Sequence, residues 1–359
     1  MVDPTHSALD VRPGCIAPEP PRGQGRRRSL LPQQFLDGIL HGDRTVLAQA
    51  ITLIESSRDA DRELAEQLVE DCLPHSGNSI RVGITGVPGA GKSSLIEVLG
   101  TYLINHFDQK VAVLAIDPSS QISGGSILGD KTRMNSLASS DKVFIRPSPS
   151  RGSLGGVAQR TRETMLLCEA AGHQIILVET VGVGQSETAV HDMVDFFLLI
   201  TLAGAGDELQ GMKRGVMELA DIVAINKADG TNIKAAERAR SEAQNALHYF
   251  PSSTSGWTPR ALTCSTQTCK GIADLWNSVL EYTAMTKANG SFDRIRRNQT
   301  QRWMQEIIRE ELKHRFEAHP AIKNRMEALE REVLEGRTTS FCAARELLET
   351  YSDAIPGAS

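Results

Sequence analysis

Gly86-Val87-Pro88-Gly89-Ala90-Gly91-Lys92-Ser93 fits G-x-x-x-x-G-K-S, the spacing of a phosphate-binding loop. Glycines let the backbone curl until successive N–H groups point inward, and a following helix adds partial positive charge at its N-terminus. This reading places Gly89, Ala90, Gly91, Lys92, Ser93 and Ser94 around phosphates. Lys92 is directed at the β- and γ-phosphates, and the Ser93 hydroxyl at Mg2+. A second constellation, Asn226-Lys227-Ala228-Asp229, closes an apolar run. In nucleotide-binding folds N-K-x-D reads guanine. The Asp229 carboxylate would accept from the base N1–H and exocyclic amine, a pairing adenine cannot offer. Lys227 would lay its alkyl stem over the ring, and Asn226 would tie the loop back.

Glu179-Thr180-Val181-Gly182 has the shape of D-x-x-G, in which the acid lies near Mg2+ and the Gly182 N–H senses the γ-phosphate. Small regulatory GTPases place a water-orienting Gln directly after that glycine. Val183 stands there and Gln185 lies two residues on, so slow intrinsic hydrolysis, aided from elsewhere, is expected. Asp117 in Asp117-Pro118-Ser119-Ser120 and Asp130 in Gly129-Asp130-Lys131-Thr132-Arg133-Met134 suit outer-sphere metal binding or the positioning of water. On spacing alone each is equally a turn or helix-capping aspartate.

These loops need strands to hold them. Ile80–Thr85, Lys110–Ile116, Val143–Ile145, Gln174–Thr180, Asp195–Thr201, Asp221–Asn226 and Arg260–Thr263 read as strands, with helical patterns between most of them. Such alternation predicts an α/β domain: a mainly parallel sheet flanked by helices, with ligand loops at the carboxyl ends of the strands. Residues 1–28 read as a disordered leader, 29–77 as a helical segment with Asp43 and Asp59 as N-caps, 78–286 as the nucleotide domain and 287–359 as a helical arm. In the arm Trp303, Ile307, Ile308, Leu312 and Phe316 share one helical stripe; Met326, Leu329, Val333 and Leu334 form a second, and Phe341, Leu347 and Leu348 a third. Such stripes must dock on the sheet domain or on another chain.

The net charge of −5 argues against nucleic acid or an anionic membrane as the main partner. Six cysteines at irregular spacing argue against a disulfide scaffold. The run from Phe196 to Ala203 is far below the ~18 residues a membrane span needs. Arg26-Arg27-Arg28-Ser29 hints at organelle targeting, but Asp3, Asp10, Glu19 and the prolines between Pro13 and Pro21 work against it. A cytoplasmic protein is expected, or a mitochondrial matrix protein if the leader is a targeting peptide.

A-I-D-P-S-S, G-D-K-T-R-M, E-T-V-G-V-G-Q-S-E, A-G-D-E-L-Q-G-M-K-R-G and N-K-A-D follow the phosphate loop in this order. Over about residues 30–350 the chain resembles the methylmalonyl-CoA mutase-associated GTPase (MeaB) family, which includes mitochondrial counterparts in cobalamin metabolism and ArgK-labelled proteins. The resemblance implies a P-loop NTPase of the signal-recognition/MinD/BioD (SIMIBI) class, homodimeric through a C-terminal helical extension. It implies a GTPase chaperone that gates adenosylcobalamin loading and protects a B12-dependent acyl-CoA mutase, with the cobalamin adenosyltransferase system as a further partner. By position, Lys92, Asp117, Asp130 and Glu179 become the catalytic group, and Ser93, Asp117, Asp130 and Glu179 surround the metal. Gln121–Met134 resembles switch I and Val181–Glu187 switch II. Gly206–Gly215, with Asp207, Glu208, Lys213 and Arg214 beside Gly211, resembles a third mobile loop facing the mutase. The second base-contacting loop reads Thr263-Cys264-Ser265-Thr266-Gln267, with Ser265 where expected and Thr266 in place of a small alanine.

A P-loop kinase or transport ATPase would need no guanine reader. A metal-insertion GTPase would carry a C-x-C-C or His-rich set; Cys264 and Cys269 are the nearest pair, with no histidine close by. No D-x-H-x-x-G run is present, so cobalamin is expected on the partner rather than on this chain.

Overall fold

A computed structural model describes residues 30–56, 58–116, 134–148, 154–180, 186–203, 214–251 and 253–354. Seven parallel strands form one sheet: β1 (Ile80–Gly86), β2 (Val111–Ile116), β3 (Val143–Ser148), β4 (Ile175–Thr180), β5 (Phe196–Leu202), β6 (Ile222–Asn226) and β7 (Arg260–Thr263). Their order is β3-β2-β4-β1-β5-β6-β7. Every residue of β2, β4 and β6 is buried, as near-continuous apolar runs covered on both faces must be. Full burial of each Val, Leu, Ile or Phe contributes about 1.5–3 kcal/mol, which makes this sheet the dominant source of cohesion.

The first crossover carries the chain from β1 past the place of β4 to β2, and later strands add on the other side of β1. Hence β1, between β4 and β5, lies at the switch point, where the loops at its carboxyl end open a crevice. Register aligns the ends: Ile84 pairs with Glu179, and Gly86 with Ile200.

Helices α4 (Lys92–Phe107), α5 (Asn135–Ala138), α6 (Leu154–Ala170), α7 (Ser186–His191), α8 (Arg214–Glu218), α9 (Ile233–Leu247) and α10 (Ile272–Ala288) alternate with or follow the strands. Ahead of the sheet, α1 (Pro32–Leu40), α2 (Arg44–Ile54) and α3 (Asp59–Cys72) bury Phe35, Ile39, Leu47, Ile51 and Leu68 against one another and against α6. Asp43 caps α2, its Oδ1 accepting the N–H groups of Thr45 (2.8 Å) and Val46 (3.1 Å). The expected cap at Asp59 is corrected: Arg58 is the extended residue before α3, and Asp59 already lies in the first turn.

Behind the sheet come α11 (Ser291–Ala318), α12 (Pro320–Leu334) and α13 (Ser340–Ala354). The stripe on α11 divides. Near its start Phe292 and Gln299 are buried in the sheet domain, whereas Ile307, Ile308 and Leu312 stay about half exposed. Phe316, at the far end, joins a small separate core of Ile322, Leu329, Ala343 and Leu347 between α12 and α13. No helix among the described residues is long and apolar enough to cross a membrane.

Candidate functional site

The loop after β1 passes directly into α4, with Gly91 as the cap at φ 92°. That glycine is required twice over. The backbone is left-handed, and a Cβ would sit 2.6 Å from Asn226 Nδ2. Asn226, fully buried at the end of β6, uses that amide to donate to Ala90 O at 2.8 Å. Its side-chain oxygen faces Cys264 Sγ at 3.7 Å. One residue thus ties the loop after β1 to the loop after β6 and touches the loop after β7.

Lys92 is buried and folded back, donating from Nζ to Gly86 O (2.9 Å) and Val87 O (3.3 Å). Burial pulls its pKa down, and the carboxylates of Glu179 and Glu187 oppose that effect. Ser93 Oγ donates to Glu179 Oε1 at 2.9 Å. Thr180 Oγ1 donates to Thr85 Oγ1 at 2.7 Å, holding the ends of β4 and β1 in step. Glu187, in the first turn of α7, is completely buried.

At the other end of the crevice Lys227 takes a left-handed φ of 57° and is exposed. Asn232 Nδ2 donates to its carbonyl at 2.7 Å, and the Ala228 N–H donates to Cys264 O at 3.0 Å. Ser265 is fully buried, and its hydroxyl donates to Asp229 Oδ2 at 2.5 Å. That hydroxyl oxygen also accepts from the N–H groups of Gln267 (3.2 Å) and Thr268 (3.1 Å). The Ser265 N–H is engaged by Lys270 O at 2.9 Å, so this residue acts by aiming the Asp229 carboxylate. Periodicity could not reveal that aiming, nor the burial of Glu187. Glu187 was signalled only as the last residue of E-T-V-G-V-G-Q-S-E, the stretch resembling switch II, with no role of its own.

Gly89, Ala90, Gly91, Lys92, Ser93, Ser94, Glu179, Asn226, Lys227, Asp229 and Ser265 all lie at the carboxyl ends of β1, β4, β6 and β7, in the loops that follow or in the first turn of α4. Asp117, Asp130, Gly182, Val183, Gln185, Asp207, Glu208, Gly211 and Lys213 lie outside the described residues. So does most of the stretch read as switch I. No cluster of three or more metal-ligating side chains occurs among the described residues.

A phosphate loop at the switch point of a parallel sheet, with N-K-x-D on a neighbouring strand end, defines a P-loop protein for guanine nucleotides. The family model described as "Methylmalonyl Co-A mutase-associated GTPase MeaB" matches residues 47–321. GTPase ArgK of Escherichia coli is 49% identical over 276 residues, covering 77% of this chain and 83% of that protein. The mouse protein "Methylmalonic aciduria type A homolog, mitochondrial" is 43% identical over 333 residues, covering 89% of this chain and 80% of its own length. A crystal structure titled "LAO/AO transport system kinase" superposes with a TM-score of 0.73 at 36% identity, over 90% of this chain and all of that one. The chain belongs to the MeaB family and is a GTPase.

Proposed function

We propose that this chain binds Mg2+-GTP in the crevice beyond β1, hydrolyses it slowly, and uses the change of state as a chaperone for an adenosylcobalamin-dependent acyl-CoA mutase. Methylmalonyl-CoA mutase is the leading client, since the family description and the names of the mitochondrial relatives point there. In this role the chain gates cofactor loading and protects the mutase, while cobalamin rests on the partner proteins, the adenosyltransferase system among them. The observation that carries the reading is the Asn226 bridge to Ala90, which ties the phosphate loop to the strand end that carries N-K-A-D.

Lys92 leaves the carbonyls of Gly86 and Val87 for the β- and γ-phosphates, a stronger charge-assisted contact. The adjacent Ser93 hydroxyl and Glu179 carboxylate fit Mg2+, which takes one or two protein oxygens and completes its shell with phosphate and water. Bound there, the ion neutralises phosphate charge. Asp117 and Asp130 complete the acidic group, and Gly182 reports the γ-phosphate. Asp229, aimed by Ser265, accepts from guanine, and the Lys227 stem covers the ring. In hydrolysis a water oxygen bonds to the γ-phosphorus as the bond to the β–γ bridging oxygen breaks, giving GDP and phosphate. With Val183 after Gly182, orientation of that water depends on a group the partner brings. Met304, Ile307, Ile308 and Leu312 are 44–58% exposed on α11 and form the dimer contact.

Calorimetry with GTP, GDP and ATP in Mg2+ tests the pocket: guanine nucleotides bind and ATP does not. Equal heats for ATP and GTP would reject the reading. Turnover measured with and without a B12-dependent mutase tests the client, and no stimulation by any such mutase would remove it. Ile308→Glu with Leu312→Glu is expected to give a monomer that still binds GTP. A protein that still sediments as a dimer would reject the α11 contact.

A further inference from the structure

Helix α7 is six residues long, about 9 Å from end to end, and its two ends lie in different parts of the molecule. At its start Glu187 is completely buried, and its charge bears on Lys92. Near its end Val190 packs on the backbone of β1, beside Val194 and Phe197 from the chain that follows. A Cβ on Gly83 would lie 2.9 Å from Val190 Cγ1, 3.0 Å from Val194 Cγ2 and 2.8 Å from Phe197 Cδ2. The Val190 side chain thus packs directly on the β1 backbone, and in a close-packed interior a shift of the helix is felt by the strand.

Past its end, residues 192–195 are held by one face of α11. Arg302 Nη1 donates to Asp192 Oδ1 at 2.8 Å, and Trp303 Nε1 donates to Asp192 O at 3.2 Å. Gln299 Nε2 donates to Val194 O at 2.8 Å. Arg296 grips both oxygens of Asp195 at 2.7 Å and also donates to Ser79 O at 2.6 Å. Positions 296, 299, 302 and 303 recur at helical spacing, so a single face of α11 reads a single turn of chain. That turn stands directly after α7 and directly before β5.

These contacts differ in strength along α11. The Asp195–Arg296 pair is deep, with side chains 2% and 15% exposed, and Asp195 also accepts the Arg81 N–H of β1 at 2.8 Å. The Asp192–Arg302 pair is open, at 25% and 59%. An open pair contributes little and reforms easily, whereas a deep one is costly to break. Beside the open pair lies a cavity of about 200 Å3 lined by Asp192, Asn298, Gln299 and Arg302 among others. The Gln299 side-chain oxygen, buried, has no hydrogen-bond partner. Room to move and an unmet acceptor are what a junction with a second arrangement requires.

We propose that α7 is a lever that passes the occupancy of the phosphate site to α11, with Asp195–Arg296 as its pivot and Asp192, Arg302 and Trp303 as its latch. The inference rests on the guanine-nucleotide reading above. A triphosphate draws Lys92 away from its present contacts and brings negative charge toward buried Glu187, which displaces the start of α7. The far end then shifts Asp192, and α11 turns about Arg296. The exposed stripe of Met304, Ile307, Ile308 and Leu312 lies immediately beyond the latch on the same helix. Glu187, Asp192 and Arg302 are therefore positioning residues for the hydrolytic step.

Hydrogen exchange on the full-length wild-type protein, with GDP and with a non-hydrolysable GTP analogue, tests the lever first. Amides of residues 300–312 are expected to exchange at different rates in the two states, and indistinguishable rates would overturn the proposal. Enzymology tests it a second way. Asp192→Asn and Arg302→Ala should each lower kcat by roughly three- to tenfold while KM and GDP affinity stay within about twofold. Arg302→Lys should recover part of the loss, and the double variant should be no worse than the worse single one. Additive losses, or losses in nucleotide affinity equal to those in kcat, would mean loosened structure and would overturn the lever. Nucleotide binding by the wild type separates the two failures: a protein that binds neither GDP nor GTP removes the guanine-nucleotide reading itself, while one that binds both and shows an unresponsive α11 removes only the lever.

Discussion

The two ends of the crevice are built differently. At the phosphate end the polar contacts are ones a ligand replaces: Lys92 lies on loop carbonyls, and the Ser93 hydroxyl on Glu179. At the base end they are a finished frame. Asn226, Ser265 and Asn232 bond to Ala90, Asp229 and Lys227, and none of those bonds needs to break for Asp229 to meet guanine. On the proposed reading, the difference means that identity is read by a rigid part, while the presence of a third phosphate is sensed by groups that must change partners. Preorganised groups bind without reorganisation cost; exchangeable ones convert binding into motion.

The sharpest way to break this contrast is at Lys92. Lys92→Ala should lower GTP affinity on the order of a hundredfold and GDP affinity by less, because the lost cation serves the β/γ end. Equal losses for both nucleotides in a calorimetric titration would show that the lysine does not sense the third phosphate. Asp229→Asn should cost GTP and GDP alike, roughly tenfold to a hundredfold, and should admit xanthine nucleotides, whose donor and acceptor pattern matches the amide. Unchanged GTP affinity would remove Asp229 as the guanine reader. Ser265→Ala leaves the carboxylate but removes its aim, so a smaller loss of about fivefold, again equal for GDP and GTP, is expected. A loss confined to GTP would mean that the two ends are not distinct.

The smallest effect tests whether β6, which carries the base reader, is an inert support. Asp221, just before β6, accepts the Phe197 N–H at 2.8 Å, and burial pushes its carboxyl up to about 7. An acid whose folded pKa is raised stabilises the fold fully below its unfolded value near 3.8 and loses that contribution as pH rises toward 7. Asp221→Asn keeps an acceptor and removes the titration. The melting temperature of the wild type relative to the variant should therefore fall steadily from pH 4 to pH 8. His173, held near 4 by burial, runs the opposite way but is common to both proteins and cancels. A difference in melting temperature that does not vary with pH would rule out Asp221 as its source.

The inner strands were legible because both their faces are covered, and unbroken runs such as KVAVLAI and QIILVET carry that requirement openly; the half-buried edge strands β3 and β7 showed only as short apolar stretches. Most ends moved by a residue or so, since β2 begins at Val111 and β4 at Ile175, while β3 runs three residues past Ile145 to Ser148. The strand order was not legible: nothing local in QIILVET says that β4 inserts between β2 and β1. The placement of Lys92, Ser93, Asn226 and Asp229 at strand ends was visible because their motifs have short fixed spacings. Ser265 aiming Asp229, or Arg296 gripping Asp195, joins residues far apart in the chain, and periodicity is blind to such pairs. The stripe from Trp303 to Phe316 on α11 was readable as apolar, but not that its middle stays exposed while earlier positions of the helix, Phe292 and Gln299, are the buried ones.

The bond from Asn226 to Ala90 spans 136 positions of chain. Domains tend to fold as units during synthesis, at roughly 5–20 residues per second. A growing chain that has released only its first two hundred residues owns the glycines and the lysine yet lacks the amide that closes their loop. Until β6 leaves the ribosome, several seconds later, Ala90 lacks the buried amide that ties its loop down. On the proposed reading a half-made copy would therefore hold GTP less tightly than a finished one.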